Sequence, residues 1–212
     1  MGLSEWLFAR WYPIVADASE RAGLRDIRHG LLQSARGRTL EIGAGTGLNL
    51  PHYPSAVTDL VLTDPSPSML RPLRAALARD APPVERAEVH AADAQSLPFD
   101  DDSFDTVVAT FVQCSVDDPA AVLAEIARVL RAGGRYLFLE HVRAPDNPRL
   151  ARMQDALAVP HRIIAAGCHP NRDGAALLDA SPLVVEHLAR GTQPRAFPTV
   201  RPIISGTALV PS

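Results

Sequence analysis

The segment Thr39–Gly47, which reads TLEIGAGTG, constrains the fold more than any other part of the chain. Leu40 and Ile42 are the apolar side chains expected of a buried parallel strand. This strand runs directly into a turn with glycine at every second position. There the backbone can bend sharply and come close to a ligand that a Cβ atom would keep away. We therefore predict a strand followed by a ligand-binding turn. The turn glycines are Gly43, Gly45 and Gly47.

The spacing of these glycines separates two kinds of nucleotide-binding turn. The dinucleotide fingerprint of oxidoreductases, G-x-G-x-x-G, needs its third glycine at position 48, where this chain has Leu48. An acidic residue, Glu41, stands two positions before the first glycine. The pattern resembles instead the loop that holds the nucleoside and methionine parts of the cofactor in class I S-adenosylmethionine-dependent methyltransferases. A dinucleotide-dependent oxidoreductase is therefore disfavoured.

Strands and helices alternate along the chain after this turn, which predicts a parallel sheet with right-handed crossovers and helices on both faces. We expect an α/β, Rossmann-like fold with a mostly parallel seven-stranded sheet that ends in an antiparallel hairpin. The domain would span 36–212, with a helical insertion at about 143–180 and a helical lid at 1–35. Predicted strands cover 39–42, 59–63, 85–91, 104–111, 135–141, 184–188 and 203–210. Predicted helices cover 3–18, 24–35, 67–79, 119–132 (stopped by Gly133-Gly134), 148–166 and 171–180.

Acidic residues follow the second and third predicted strands, at the edge where sheets of this type bind ligands. Asp64, 21 residues after Gly43, suits a bidentate contact with a ribose diol. The alternative for Asp64 is a helix N-cap, a role that Ser66 also fits. Asp93 lies where an adenine edge is expected, or it caps a loop. Met69 forms an apolar wall near the adenine or packs in the core.

Successive segments of residues 35–142 are similar to the motifs of the ubiquinone/menaquinone-type class I methyltransferases. They are Glu41–Gly47, Asp64, Asp93, Phe104-Asp105 and Val129–Gly134. The resemblance implies an enzyme that uses S-adenosyl-L-methionine and releases S-adenosyl-L-homocysteine. The residues that it assigns to the cofactor are Glu41, Gly43, Ala44, Gly45, Gly47, Asn49, Asp64, Pro65, Met69, Asp93, Ala94 and Thr110.

Finer features extend the resemblance over nearly the whole chain from residue 35. They are similar to the methyltransferase-like thiol S-methyltransferases found in animals, whose bacterial relatives are often labelled phospholipid methyltransferases. The animal proteins begin with a hydrophobic membrane anchor, a pattern that the start of this sequence does not show. The resemblance implies methylation of a small molecule, with a thiol as the leading acceptor. The matching segments are Gly47–Pro54, Val112–Val116, Leu139–Val142, Ala166–His169, Val200–Pro202 and Gly206.

A thiol acceptor must lose its proton, because the thiolate is the nucleophile and free thiols have a pKa of about 8.5. Histidine, with an unperturbed pKa of about 6.5, is a suitable base. His141 ends the fifth predicted strand and is the first candidate, with a hydrogen-bonded surface residue as the alternative. His52, after the glycine loop, is the second candidate. His161 and His169 are weaker ones.

The two cysteines, Cys114 and Cys168, cannot form a disulfide framework, and no Cys/His group has the sequence spacing of a zinc site. We therefore expect no metal and interpret both residues as buried thiols, although His169 next to Cys168 is a hint of thiolate activation. No apolar run is long enough for a membrane span and no signal peptide is visible, so a cytoplasmic location is expected.

The 21 basic and 24 acidic residues are mixed along the chain, which predicts no nucleic-acid partner. Aromatic residues at 6–11 form either a lid over the pocket or an interfacial foot that makes peripheral membrane contact. Three functions remain open. They are thiol methylation, methylation at O, N or C of a phenol, quinone or phospholipid head group, and cofactor binding without catalysis. The sequence leaves the oligomeric state open.

Overall fold

A computed structural model describes residues 17–165 and 167–211, so the predicted helix 3–18 and its aromatic residues lie almost entirely outside the described part. Seven strands form one sheet in the order β3-β2-β1-β4-β5-β7-β6. The first five strands are mutually parallel, and β7 pairs antiparallel with both β5 and β6. The predicted fold class is thus confirmed. The strands are β1 (Gly37–Ile42), β2 (Val57–Asp64), β3 (Arg86–Ala91), β4 (Phe104–Thr110), β5 (Leu130–His141), β6 (Val184–Thr192) and β7 (Pro202–Leu209).

Helices cover both faces of the sheet. Neighbouring residues of β4 show why, because Val107 and Val108 are both fully buried but belong to different apolar clusters. Successive strand side chains point to opposite faces, so apolar side chains at consecutive positions of a strand need cover on both sides of the sheet. The helices are α1 (Arg25–Leu32, after a π-helical turn Glu20–Leu24), α2 (Pro67–Arg79), α3 (Pro119–Val129), α4 (Pro148–Ala156), α5 (Ala158–Ile164) and α6 (Gly174–Asp179). In the described ranges, none of them has the length and apolar character that crossing a bilayer requires.

The predicted single helix over 148–166 is wrong, since α4 and α5 are separated by a break at Leu157. Pro160 explains the break. It has no N–H to donate, and its ring clashes with the carbonyl four residues earlier, that of Ala156. The predicted helix 171–180 is also shorter, because Asp173 caps it at Gly174 by accepting the N–H of Ala176 at 3.0 Å.

Two other boundaries differ from the prediction. Gly133-Gly134 does not stop α3, which ends at Val129. The chain is already extended at Leu130, where β5 begins. Gly134 instead lies in an irregularity of β5, where a Cβ atom would lie 2.7 Å from the carbonyl oxygen of Arg131.

Ser66 occupies the N-cap position of α2, as predicted, but its side chain makes no capping hydrogen bond.

Candidate active site

The glycine turn is tied to the end of β2 by a carboxylate. Gly45 donates its backbone N–H to Oδ2 of Asp64 at 3.0 Å, and Ser66 donates to Oδ1 at 2.8 Å. The ribose and capping roles weighed for Asp64 are therefore not exclusive, because each oxygen that binds the backbone keeps a second lone pair. Burial raises the pKa of Asp64, and the two N–H donors oppose that rise.

The three turn glycines are required for different reasons. All three have positive φ, at 61°, 55° and 87°. A Cβ atom on Gly43 would lie 2.6 Å from Val112, and one on Gly47 would lie 2.8 Å from Leu50, so these two glycines permit close packing. A Cβ atom on Gly45 would meet nothing nearer than 4.0 Å. Gly45 therefore faces open space, as a glycine beside a bound ligand should.

A buried polar group lies beneath the turn. Glu41 is 2% exposed and accepts hydrogen bonds from Asn49 at 2.9 Å and from the hydroxyl of Tyr53 at 2.5 Å. Burial raises the pKa of Glu41 to about 7, although Tyr53, Asn49 and Arg28 favour its charged form. The carboxyl can therefore change its charge near neutral pH, which makes this position sensitive to any cationic group that binds beside it.

Arg28 joins this group from α1. Its guanidinium donates to Oδ1 of Asn49 at 2.8 Å and to the hydroxyl of Thr110 at 2.9 Å. It also forms a salt bridge of 3.0 Å with Glu20, and it is only 2% exposed. The predicted site residues Glu41, Asn49 and Thr110 are thus connected through an arginine that the sequence analysis missed.

A signal for Arg28 was present in the sequence. It stands four residues from both Leu24 and Leu32, which are buried on the same face of the helical segment. A cation on the buried stripe of a helix needs an acceptor, and such a requirement points to a polar site in the core. Tyr53 was missed as well, and nothing in its local pattern distinguishes it from a core aromatic residue.

The remaining predicted cofactor residues lie along the same edge. Asp93 is exposed and accepts the N–H of Gln95 at 2.9 Å, so it caps its loop while one oxygen stays available. Ala94 is buried beneath it, Met69 is half-buried in α2, and Pro65 is exposed just after Asp64. None of these contacts tests whether Asp93 binds the adenine, so that assignment stays a prediction.

His141 lies at the centre of a group that the sequence did not connect. Its Nδ1 atom is 3.6 Å from Sγ of Cys114 and 3.6 Å from Sγ of Cys168. Its Nε2 atom is 2.6 Å from Oε1 of Gln193, and its ring stacks on Phe111 with centroids 4.3 Å apart. Burial alone would lower the pKa of His141, but the Cys114 and Gln193 contacts raise it above its usual value. The Cys168 thiol and burial raise the pKa of Cys114, so this thiol is neutral at pH 7.

Of the other three candidate histidines, only His52 lies apart from this group in the described part of the chain. His52 is 8% exposed and meets the ring of His29 edge-on, and burial lowers its pKa to about 4. His169 follows Cys168 and donates its backbone N–H to the carbonyl of Cys114 at 2.6 Å, and burial lowers the pKa of His169. His161 lies 2.6 Å from the hydroxyl of Thr199. Burial lowers the pKa of His161, which lies close enough for the charge of His141 to add to that effect. Of the four candidate histidines, His141 therefore has the most polar side-chain contacts in the described part of the chain.

The edge formed by the ends of β1, β2 and β4 fits a nucleoside with an amino-acid tail. It combines the open face at Gly45, an acid at Asp64 that is 7% exposed, and the buried polar group around Glu41. Carboxylates there can accept from ribose hydroxyls, and the turn admits a ligand close to the backbone. The residues present thus suit the predicted cofactor.

A family of methyltransferase domains matches residues 40–138 of the chain. The human thiol S-methyltransferase TMT1A is 28% identical over 220 residues, covering 99% of this chain and 90% of the human protein. Human TMT1B is 32% identical over 170 residues, covering 80% of this chain and 69% of that protein.

A bacterial relative has a different acceptor in its name. The phosphatidylethanolamine N-methyltransferase of Cereibacter sphaeroides is 42% identical over 125 residues, covering 58% of this chain and 59% of the relative. Among solved structures, an S-adenosylmethionine-dependent methyltransferase from Methanosarcina mazei superposes with a TM-score of 0.66 at 22% identity, over 87% of this chain and 97% of that one. This last likeness concerns the fold.

Proposed function

Because the chain belongs to the class I S-adenosylmethionine-dependent methyltransferases, we propose that the small molecule it methylates is a thiol. The observation that carries the proposal is the similarity to human thiol S-methyltransferases, which reaches 99% of this chain for TMT1A. This similarity includes the segments that hold Cys114, His141 and Cys168, which lie outside the glycine turn proposed to bind the cofactor. It therefore also extends over the residues that we propose lie beside the acceptor.

The cofactor would be held by residues of the glycine turn and the strand ends. S-adenosylmethionine supplies an electrophilic methyl group on a sulfonium centre. Asp64 would accept from the ribose hydroxyls, and Asp93 would lie at the adenine edge. The buried group of Glu41, Asn49 and Thr110 would face the amino-acid tail. Since little covalent chemistry is left to the protein, its main contribution is to align the two reactants and exclude water.

The base would come from the residues beside the methyl acceptor. A thiol reacts as its thiolate, and a neutral imidazole with an unprotonated nitrogen can take the thiol proton. We assign this role to His141, at the end of β5 and beside Phe111. His52 is the second candidate, and its low pKa of about 4 leaves it neutral but a weak base.

A second function has specific support. The bacterial relative named phosphatidylethanolamine N-methyltransferase is 42% identical over the matched part. A lipid amine is therefore the alternative acceptor, with the residues at 6–11 as a peripheral contact to the bilayer surface.

A transfer assay with methyl-labelled S-adenosylmethionine tests both functions. Acceptors should include an alkyl thiol, a phenol, a quinol and phosphatidylethanolamine vesicles, with a matched alcohol as the control for the thiol. Labelling of the thiol and not of the alcohol supports the proposal. Labelling confined to the vesicles would replace thiol methylation with the lipid function.

A further inference from the structure

Three side chains with soft or borderline donor atoms converge from separate parts of the chain. Cys114 comes from the turn after β4, His141 from the end of β5, and Cys168 from the loop between α5 and α6. Their ligand atoms, the two Sγ and Nδ1, lie within 4.8 Å of one another. Both cysteines are free and buried. We propose that Cys114, His141 and Cys168 bind a zinc ion.

The distances suit tetrahedral zinc. Zinc–sulfur bonds of about 2.3 Å and zinc–nitrogen bonds of about 2.0–2.1 Å at a tetrahedral angle place sulfur and nitrogen about 3.6 Å apart. Nδ1 of His141 lies 3.6 Å from Sγ of each cysteine. A hydrogen bond from one thiol to Nδ1 explains one of these distances, whereas a zinc ion bound to all three atoms explains both.

The imidazole is held in the tautomer that a metal requires. Ser19 donates its hydroxyl to the carbonyl of Pro194 at 2.5 Å, so its oxygen accepts the side-chain N–H of Gln193 at 3.0 Å. This fixes the amide of Gln193 with Oε1 toward His141, 2.6 Å from Nε2. Nε2 must therefore carry the proton, which leaves the Nδ1 lone pair facing the two sulfurs. Metal-binding histidines are commonly oriented by such a contact on their other nitrogen.

The donor set suits a divalent cation. Two thiolates, the form in which cysteine binds zinc, would neutralise the charge of the ion. A cavity of about 10 Å³ adjoins Cys114 and His141. It has room for about one water-sized fourth ligand. The site would then have three protein ligands and one exchangeable position, as catalytic zinc sites do.

This ion would change what His141 does, and that part of the inference rests on the proposed thiol methylation. With Nδ1 on zinc, the imidazole holds the ion and is no longer the base. Held by Cys114, His141 and Cys168, the ion would act as a Lewis acid that promotes transfer of the acceptor thiol's proton to water. The thiolate sulfur is then free to accept the methyl group.

Metal analysis of the full chain tests the site independently of activity. Protein equilibrated with zinc chloride in a reducing buffer and then desalted should retain about one zinc per chain. Cys114→Ser and Cys168→Ser should retain little. Gln193→Ala should keep the ligands but weaken affinity by roughly ten- to a hundredfold. His90→Ala, an exposed change on β3 at the far edge of the sheet, should retain zinc as the wild type does.

Cobalt substitution checks the donor atoms in the wild-type protein itself, so the test does not depend on a variant that folds. A cobalt-loaded wild type should show a thiolate-to-cobalt charge-transfer band. Wild type that retains no zinc while both thiols react with a thiol reagent overturns the site, and so does a Cys114–Cys168 disulfide in the same buffer. Full zinc occupancy in a protein that methylates no thiol supports the site and retires the thiol acceptor instead.

Discussion

The carboxylate of Asp64 accepts the backbone N–H of Gly45 at 3.0 Å, so the end of β2 and the glycine turn after β1 form one unit. The acid that orders the turn is also the predicted ribose ligand. Changes at this position should therefore affect both the structure of the turn and the predicted binding of the nucleoside, and the two effects have to be measured separately.

Asp64→Ala should weaken binding of S-adenosylmethionine or S-adenosylhomocysteine by about 1.5–3 kcal/mol, roughly ten- to a hundredfold, because a charge-assisted contact is lost. Calorimetric titration measures the affinity, and thermal unfolding reports the effect on the turn. Asp59→Ala, at the opposite end of the same strand, is the control and should bind normally. Unchanged affinity in a folded Asp64→Ala protein would contradict the ribose assignment.

Glu41 should make the ligand-free protein less stable as pH rises from about 4.5 to about 7. Its pKa is about 7 in the folded protein against 4.5 for a free side chain, so in this window the folded state binds more protons than the unfolded state. The full effect is on the order of 3 kcal/mol. Urea unfolding of wild type and Glu41→Gln at several pH values isolates it. A difference between the two proteins that does not change with pH would show that the carboxyl is ionised throughout.

His141→Ala should lower the rate on an alkyl thiol by roughly 10²–10⁴-fold at neutral pH. The loss should shrink as pH rises through the thiol pKa of about 8.5, because solvent then supplies the thiolate. Rates from about pH 7 to about pH 9.5 measure this. A constant loss over that range would mean that neither His141 nor a zinc ion held by it assists removal of the proton, and that His141 positions the acceptor. A larger, pH-dependent loss in His52→Ala would transfer the assignment to His52.

Deleting residues 1–16 should leave cofactor affinity nearly unchanged but abolish turnover. We expect this segment, with α4 and α5, to close the acceptor space. Helix α5 exposes three large apolar side chains that need cover, Val159 at 62%, Ile163 at 59% and Ile164 at 58%. The deletion spares Ser19 and Glu20, which contact Gln193 and Arg28. If the shortened protein still methylates a thiol and loses only its association with vesicles, the deleted segment contacts the membrane surface and does not close the acceptor space.

Local sequence patterns were sufficient to predict the succession of strands and helices and the class of fold. The run of apolar residues into alternate glycines at 39–47 predicted β1 and its turn, and Asp118-Pro119 predicted the start of α3, where Asp118 accepts the N–H groups of Ala120 and Ala121 at 3.0 Å. These features depend on neighbours within a few residues, so spacing reveals them. Pro160 is an equally local signal, and it accounts for the break at Leu157 that the predicted single helix lacked.

The sequence by itself determined that a sheet forms, the order of strands and helices along the chain, and the acids at the strand ends. It could do so because hydrophobic periodicity and turn chemistry act over short stretches of chain. Only the tertiary structure brought Arg28 to Asn49 and Thr110, and Cys114 to His141 and Cys168. The cysteines each stand 27 residues from His141, a separation that matches no metal-binding spacing. They meet because parallel strands end at one edge of the sheet and the loop after α5 folds back over it. Such a contact depends on three-dimensional packing and leaves no periodic trace in the sequence.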